Sequence, residues 1–321
     1  MKTPKFFYKK SPLSLFLIPL SWLFILSVKV RNIFIKPFKL KDKFVICIGN
    51  ATVGGGGKTP SVIFIAKALK SKNISVCVIS KGYGRSSTGF QRVLELSDVN
   101  EVGDEVKIIS KIVPVYVYSN YKDILNNQDQ IKETVIIMDD GLQNPSMQKD
   151  FSILVIDNDV NLKNDLILPA GPFRETFKSA FSKVDAIFNI ENISKKELQT
   201  EVKQYNLLKT YSLENIQQYG DYLAFCGLAV NEKFFSALKA LGINVIQKIE
   251  FGDHHKYSRD DIRKILSIAK EKSLIPITTE KDFIKIKNFD IVDNNICILK
   301  MSLSFKDDAF INDILKKIIK Y

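Results

Sequence analysis

The stretch Cys47-Ile-Gly-Asn-Ala-Thr-Val-Gly-Gly-Gly-Gly-Lys-Thr-Pro60 decides how the rest of the chain is read. The apolar run Phe44–Ile48 leads into it as a buried parallel strand would, and a helix-like segment over 60–70 leaves it. Four consecutive glycines let backbone N–H groups approach a polyphosphate with no Cβ in the way. Lys58 is placed to reach the β and γ phosphates, Thr59 offers a hydroxyl to Mg²⁺, and Pro60 suits a first helical turn. The loop of Thr52, Val53, Gly54, Gly55, Gly56, Gly57, Lys58 and Thr59 is therefore expected to bind a nucleoside triphosphate. Thr52 stands where G-x-x-x-x-G-K-[ST] begins with glycine, so the plain alternative is a Gly-rich turn that only joins strand to helix.

Working outward, the pattern alternates strand and helix. Apolar runs over 74–80, 113–117, 134–138, 151–156 and 184–190 read as buried parallel strands, with a helix over 105–111. This is the signature of a doubly wound α/β sheet, whose ligands sit at the carboxyl ends of the strands. Residues 194–219 are polar and lysine-rich and read as the approach to a linker. A shorter α/β set follows: strands over 222–226, 244–249, 276–279 and 296–301, helices over 231–241 and from Ser258, and a final amphipathic helix over 307–319. The expected organisation is an N-terminal membrane-associated segment (1–43), a P-loop α/β/α domain (44–208), a linker (209–220) and a smaller α/β/α domain (221–321).

With 321 residues, 45% hydrophobic and 26% charged, the chain has ample core for about two domains. Its net charge of +12 points to an anionic partner. The lysines are dispersed and no nucleic-acid-binding motif is present, which favours lipid headgroups or a phosphorylated substrate over nucleic acid. Cys47, Cys77, Cys226 and Cys297 sit singly in apolar runs and read as buried reduced thiols, in keeping with a cytoplasmic site of action. Residues 13–28 are nearly all apolar, interrupted by Pro19, and flanked by lysines and Arg31. As one helix they would span roughly 24 Å, short of the roughly 30 Å hydrocarbon core. A membrane-seated anchor, interfacial or barely spanning, is expected, with a buried helix as the alternative.

Several motifs carry chemistry. The run over 134–138 ends in Asp139 and Asp140, the placement by which P-loop proteins hold Mg²⁺, and Gly141-Leu142-Gln143 follows. Gly103-Asp104-Glu105 opens a helix; its acids are either plain helix caps, or Asp104 is a proton acceptor for a substrate hydroxyl. Asp253-His254-His255 holds both histidines of the chain and could orient or share the proton of a catalytic carboxylate; no third ligand with zinc spacing is visible. The stiff loop Leu168–Glu175 delivers Arg174, a clamp for a transferring phosphoryl group, and Glu175, a metal support; the alternative is a surface turn with an ion pair. Ser80-Lys81-Gly82-Tyr83-Gly84-Arg85 offers two cations suited to substrate phosphate or nucleotide.

In this order, these motifs together with Phe-Cys-Gly at 225–227 and Thr-Glu-Lys-Asp at 279–282 closely resemble the tetraacyldisaccharide 4′-kinase family over residues 44–282. The resemblance implies transfer of the γ-phosphate of ATP to the 4′-hydroxyl of an acylated glucosamine disaccharide 1-phosphate lipid, at the cytoplasmic face of a Gram-negative inner membrane. It implies Asp104 as the base with His254 as its partner. Lys58 and Arg174 would serve the phosphates, Thr59, Asp139, Asp140 and Glu175 would serve Mg²⁺, and Lys81, Tyr83, Arg85 and Gln143 the acceptor. Three departures stand out: Gly56 where the family has threonine, Val106 in place of proline, and no arginine near Tyr121 and Lys122. The competing function is a membrane-tethered P-loop ATPase or nucleotide switch with no lipid acceptor; a kinase of a soluble small molecule is a further one.

Overall fold

Runs of β-branched and other apolar residues build the sheet that carries the site. The computed structural model describes residues 4–7, 9–54, 56–157, 164–191, 200–215, 220–292, 295–305 and 309–321. Among them the strands are β1 (Phe44–Gly49), β2 (Val76–Ser80), β3 (Gln91–Arg92), β4 (Val115–Val117), β5 (Val135–Asp139) and β6 (Phe151–Asp157), then β7 (Ala186–Ile190), β8 (Lys203–Glu214), β9 (Tyr222–Cys226), β10 (Val245–Glu250), β11 (Ile275–Thr279) and β12 (Cys297–Phe305). They form one continuous sheet in the order β10-β9-β11-β12-β8-β7-β6-β1-β5-β2-β4-β3. Every neighbouring pair is parallel except β12 with β8 and β3 with β4. The expected mixed α/β fold around a large, mainly parallel sheet is what forms.

Strands β1, β2 and β5 are buried at every position, because helices cover both faces as a parallel sheet requires. On one face, helix Lys58–Ser71 packs Val62, Ile65, Ala66 and Leu69 against β1, β2 and β5. Burying each large aliphatic side chain contributes about 1.5–3 kcal/mol, so Lys58 and Thr59 begin a firmly held helix. The opposite face carries Tyr121, Ile124 and Ala180 from helices Tyr121–Asn126 and Phe177–Phe181. Around β9, β11 and β12 the layering repeats, with Phe234 and Leu238 on one side and Ile262, Ile265 and Ile286 on the other. Ser258 caps helix Arg259–Glu271 in a reciprocal capping box with Asp261, as its sequence predicts.

Two features differ from the sequence reading. The polar stretch before the expected linker holds β8, twelve residues long, which pairs in parallel with β7 and antiparallel with β12. Tyr205 and Leu207 are buried while their neighbours are half-exposed, so lysines and amides dominate its composition. The expected linker 209–220 begins inside this strand, and residues 216–219 lie outside the described ones, as do 307 and 308 of the final helix, observed over Ala309–Ile319. At the N-terminus the apolar segment is two helices, Pro12–Phe16 and Ile18–Ile33. Pro19 lies in the first turn of the second, where it starts a helix instead of kinking one. No helix among the described residues is long and apolar enough to cross a membrane. Ser21 docks the longer helix: its hydroxyl donates to Ile167 O at 2.7 Å and accepts from Ala170 N at 3.3 Å.

Candidate active site

β1 runs between β5 and β6, so the loop after Gly49 opens at the carboxyl end of the sheet, where ligand crevices form. Gly57, at φ +75°, precedes helix Lys58–Ser71, and a Cβ there would stand 2.4 Å from Ile190 Cδ1. At Gly56 a Cβ would stand 2.2 Å from Asn50 Nδ2. Glycine at 56 thus leaves room for Asn50, whose Oδ1 accepts from Lys58 Nζ at 3.2 Å. Asn50 was not singled out from sequence. Val53 N donates to Pro172 O at 2.9 Å, and Thr52 bridges Phe173, so the start of the loop is tied to the Pro/Gly loop. Gly55 lies outside the described residues.

Asp139 ends β5 and is buried. Its Oδ2 accepts from Ser80 Oγ at 3.0 Å, while its Oδ1 is buried with no hydrogen-bond partner. Burial, and then the charges of Glu105 and Asp140, push its pKa up to about 7. Asp140 accepts a two-pronged contact from Arg174, at 2.7 and 3.0 Å, with Lys58 Nζ at 3.8 Å. Burial raises the Asp140 pKa, but Lys58 and Arg174 outweigh it and hold the carboxyl below its usual range. Thr59 Oγ1 donates to Glu105 Oε2 at 2.8 Å, which leaves the hydroxyl lone pairs turned to other partners. No three His, Cys, Asp or Glu among the described residues are grouped to hold a metal by themselves. The set nevertheless fits Mg²⁺, which takes one or two carboxylates, a hydroxyl and phosphate oxygens. The orphaned Asp139 oxygen and the crowding of Asp139, Asp140 and Glu105 are what such a cation would relieve.

Glu175 does not join this set. Its carboxylate accepts from Gln143 at 3.2 Å, Ser179 at 2.6 Å and Lys183 at 2.5 Å, and it is not among the residues lining the cleft. The Pro/Gly loop aims Arg174 at Asp140 and its neighbour at the following helix. Glu105, not Glu175, is the glutamate in contact with Thr59, a pairing hidden in the sequence because the two are 46 residues apart.

Across the cleft, Gly103 (φ +99°) lets Asp104 start the helix Asp104–Ile109. Asp104 Oδ1 accepts from Glu105 N at 2.9 Å, and Oδ2 faces His254 Nδ1 at 3.0 Å. His254 sits at φ +54° in the turn after β10. Lys285 Nζ lies 3.5 Å from Asp104 Oδ2. Burial raises the Asp104 pKa, but His254 together with Lys281 and Lys285 more than reverses that and holds the carboxyl well below its usual range. Lys281 Nζ donates to Glu105 Oε1 at 3.0 Å and lies 3.3 Å from His254 Nε2. Burial lowers the Lys281 pKa, while Glu105 and Asp104 carry it to about 12. Both lysines ride on helix Glu280–Ile286, capped by Thr279 and anchored by buried Asp282, which accepts from Gly227 N at 3.0 Å. The Thr-Glu-Lys-Asp motif thus supplies Lys281 and opens the helix that carries Lys285, two site cations that the sequence reading did not assign. His255 is structural: it stacks on Phe251 and pairs with Asp261 at 3.2 Å.

A cleft of about 1230 Å³ joins these groups. Lys81, Tyr83 and Gln143 line it, and the Tyr83 ring lies 4.9 Å from that of His254. Gln143 braces Arg174, accepting from it at 3.1 Å and donating to Asn50 O at 2.8 Å. Arg85 does not line the cleft; its guanidinium donates to Ser87, Gly89 and Ser119 and holds its own loop together. Tyr121 lines the cleft where an arginine was expected, with its hydroxyl buried and unpaired, and Lys122 does not reach it. Arg31, from the N-terminal helix, enters the same lining and donates to Gln143 O at 3.3 Å.

Comparison with known proteins agrees with this geometry. Residues 13–320 match the family described as tetraacyldisaccharide-1-P 4′-kinase. The chain is 36% identical over 319 residues to the tetraacyldisaccharide 4′-kinase of Rickettsia canadensis, covering 98% of this chain and 97% of that protein. It is 35% identical to the enzyme of the same name from Rickettsia akari, with the same coverage. It is similar in structure to LpxK from Aquifex aeolicus, crystallised in complex with ATP, with a TM-score of 0.78 and 30% identity over 95% of this chain and 99% of that one.

Proposed function

We propose that this chain, which belongs to the tetraacyldisaccharide-1-P 4′-kinase family, uses Asp104 paired with His254 to take the proton of a sugar hydroxyl as that oxygen attacks the γ-phosphorus of ATP. The acceptor is the 4′-hydroxyl of an acylated glucosamine disaccharide 1-phosphate. The observation that carries the reading is the 3.0 Å Asp104–His254 contact, on the same cleft as Lys58, Thr59 and Asp139. A nucleotide switch would need the loop and the metal acids but neither of these two.

The glycine loop offers backbone N–H groups to the phosphates, and Lys58 leaves Asn50 and Asp140 to meet the β and γ oxygens. Arg174 is held two-pronged by Asp140 at the cleft wall, positioned to neutralise the equatorial oxygens of the transferring group. Thr59 and Asp139, with Asp140 or Glu105, would hold Mg²⁺, which when bound neutralises charge on the β and γ phosphates. Asp104 is ionised at neutral pH, so it is ready to accept the proton, and His254 keeps its carboxylate aimed. Lys81 and Tyr83 meet the sugar side of the acceptor.

The acyl chains stay with the membrane. Phe24 and Val28 line the cleft from the longer N-terminal helix, and the two N-terminal helices together expose Leu13, Phe16, Leu20, Trp22, Leu23 and Leu26. Exposed large apolar side chains clustered in this segment suit an interaction site, and the basic residues around them in the sequence suit anionic headgroups at about 1 kcal/mol each. The helix lies in the interface of the cytoplasmic leaflet, so the cleft opens at the bilayer surface. The test is incubation with labelled ATP, Mg²⁺ and the disaccharide monophosphate lipid in mixed micelles. A labelled bisphosphorylated lipid is expected; ATP consumption indifferent to the lipid would favour the switch.

A further inference from the structure

We propose that Lys281 is a positioning residue that fixes the tautomer of His254, and through it the aim of Asp104, while tying the same contact to Thr59 of the phosphate loop. The inference rests on the Asp104–His254 reading above and assigns a role to a side chain that touches neither substrate in that reading. A lysine ammonium has only hydrogens to offer. With Lys281 Nζ 3.3 Å from Nε2, that ring nitrogen accepts, and the ring proton stands on Nδ1, where it meets Asp104 Oδ2 at 3.0 Å. The opposite tautomer would turn a lone pair toward the carboxylate and a proton toward the ammonium, losing both contacts at once. Asp253 Oδ1, the acceptor that would favour a proton on Nε2, lies 3.9 Å away, beyond hydrogen-bond length.

Lys281 is itself held on the other side. Glu105 Oε1 accepts from it at 3.0 Å, and Glu105 Oε2 accepts from Thr59 Oγ1 at 2.8 Å. A continuous path therefore runs Thr59–Glu105–Lys281–His254–Asp104, from the residue that starts the nucleotide helix to the base. Lys281 lies on the helix after β11 and His254 in the turn after β10, and the other three belong to the β1 side of the sheet. The base is correctly aimed only when both sides are together. Lys285, 3.5 Å from Asp104 and 3.1 Å from Asp282, contributes charge but has no contact with the imidazole, so it cannot replace Lys281 in this task.

The test uses the full chain labelled with ¹⁵N-histidine, with His254 signals assigned by His255→Gln. Wild type is expected to show a protonated Nδ1 and an unprotonated Nε2. In Lys281→Met, which keeps the aliphatic stem and a comparable melting temperature, the two nitrogens should move toward an averaged or reversed pattern. The kcat should fall by up to about 10–10²-fold, no more than loss of the imidazole itself would cost, with KM for ATP within about twofold. Lys281→Arg, which restores N–H donors, should regain most of both. If the methionine variant does not fold, Lys281→Gln is measured by the same criteria. An unchanged His254 pattern in the folded variant overturns the inference whatever the rate does. Asp104→Asn separates the two claims: wild-type turnover there would sink the base assignment itself, whereas an inactive Asp104→Asn beside a fully active Lys281→Met would sink only the role of Lys281.

Discussion

The two sides of the cleft contribute opposite kinds of chemistry. The β1 side supplies a glycine loop, the cations Lys58, Lys81 and Arg174, and the acids Asp139, Asp140, Glu105 and Asp104, and most of its site residues come from short consecutive motifs. The β9 side supplies a histidine and two lysines, carried by the loop after β10 and the helix after β11. Each side alone leaves its charges poorly matched. Asp104 is buried and Glu105 half-buried, and the pKa values of both fall below the ordinary range because His254, Lys281 and Lys285 reach Asp104, and Lys281 reaches Glu105, from across the gap. The phosphate loop is thus a local structure, and the Asp104–His254 pair is an assembled one.

The largest effect should come from the local side. Lys58→Ala removes the lysine of the phosphate loop and should reduce turnover about 10³-fold, scored by labelled phosphate transfer. Equal activity in that variant would place the nucleotide elsewhere. Asp139→Asn should also cost turnover, about 10²-fold, yet it should stabilise the free enzyme at high pH. The folded-state pKa of Asp139 is raised to about 7 from 3.8, so between those values the native state binds more protons than the unfolded chain. Its contribution to stability is full below the lower value and is lost as pH rises through about 7. Without Mg²⁺ or ATP, the asparagine variant should melt above wild type at pH 8 by an amount on the order of a few kcal/mol, and the gap should close toward pH 4. A gap that does not change with pH would contradict the burial account.

On the assembled side, His254→Ala should lower kcat about 10–10²-fold with little change in KM for ATP, because the nucleotide contacts lie opposite. A rise confined to KM for ATP would mean that the histidine binds nucleotide instead. The N-terminal helices give a smaller, separable effect. Phe16, Trp22 and Leu23 are 80, 68 and 62% exposed, so replacing all three by serine should leave the melting temperature within a few degrees. Binding to anionic vesicles should weaken about tenfold or more, since each side chain buried in lipid is worth about 1.5–3 kcal/mol. Unchanged sedimentation with vesicles would refute an interfacial seat. The smallest effect is Arg85→Lys, expected within about threefold of wild-type turnover, because this arginine bonds its own loop.

The same contrast explains what the sequence disclosed. Lys58, Thr59, Asp139 and Asp140 were legible because strand, loop and acid follow one another along the chain, each in a pattern the chemistry requires. Lys281 and Glu105 are 176 positions apart, and nothing in a single sequence pairs them. Arg85 and Glu175 misled for the converse reason. A charge in a glycine-rich or proline-rich loop looks catalytic, but one brings its loop together and the other meets Lys183 and Ser179. β8 was hidden because only alternate residues such as Tyr205 and Leu207 are buried, leaving a lysine-rich composition that reads as a linker. The N-terminal segment was legible as apolar, but Pro19 marks a helix start there, and proline composition alone does not separate a start from a kink.

The central claim, that the phosphate loop and an acid held from the far side of the cleft act on one phosphorus, is met most directly by single-turnover transfer in Asp104→Asn. With ATP, Mg²⁺ and the disaccharide monophosphate lipid bound, this variant should retain both substrates at near wild-type affinity and form bisphosphorylated lipid about 10³-fold more slowly. Product formed at the wild-type rate would contradict the account.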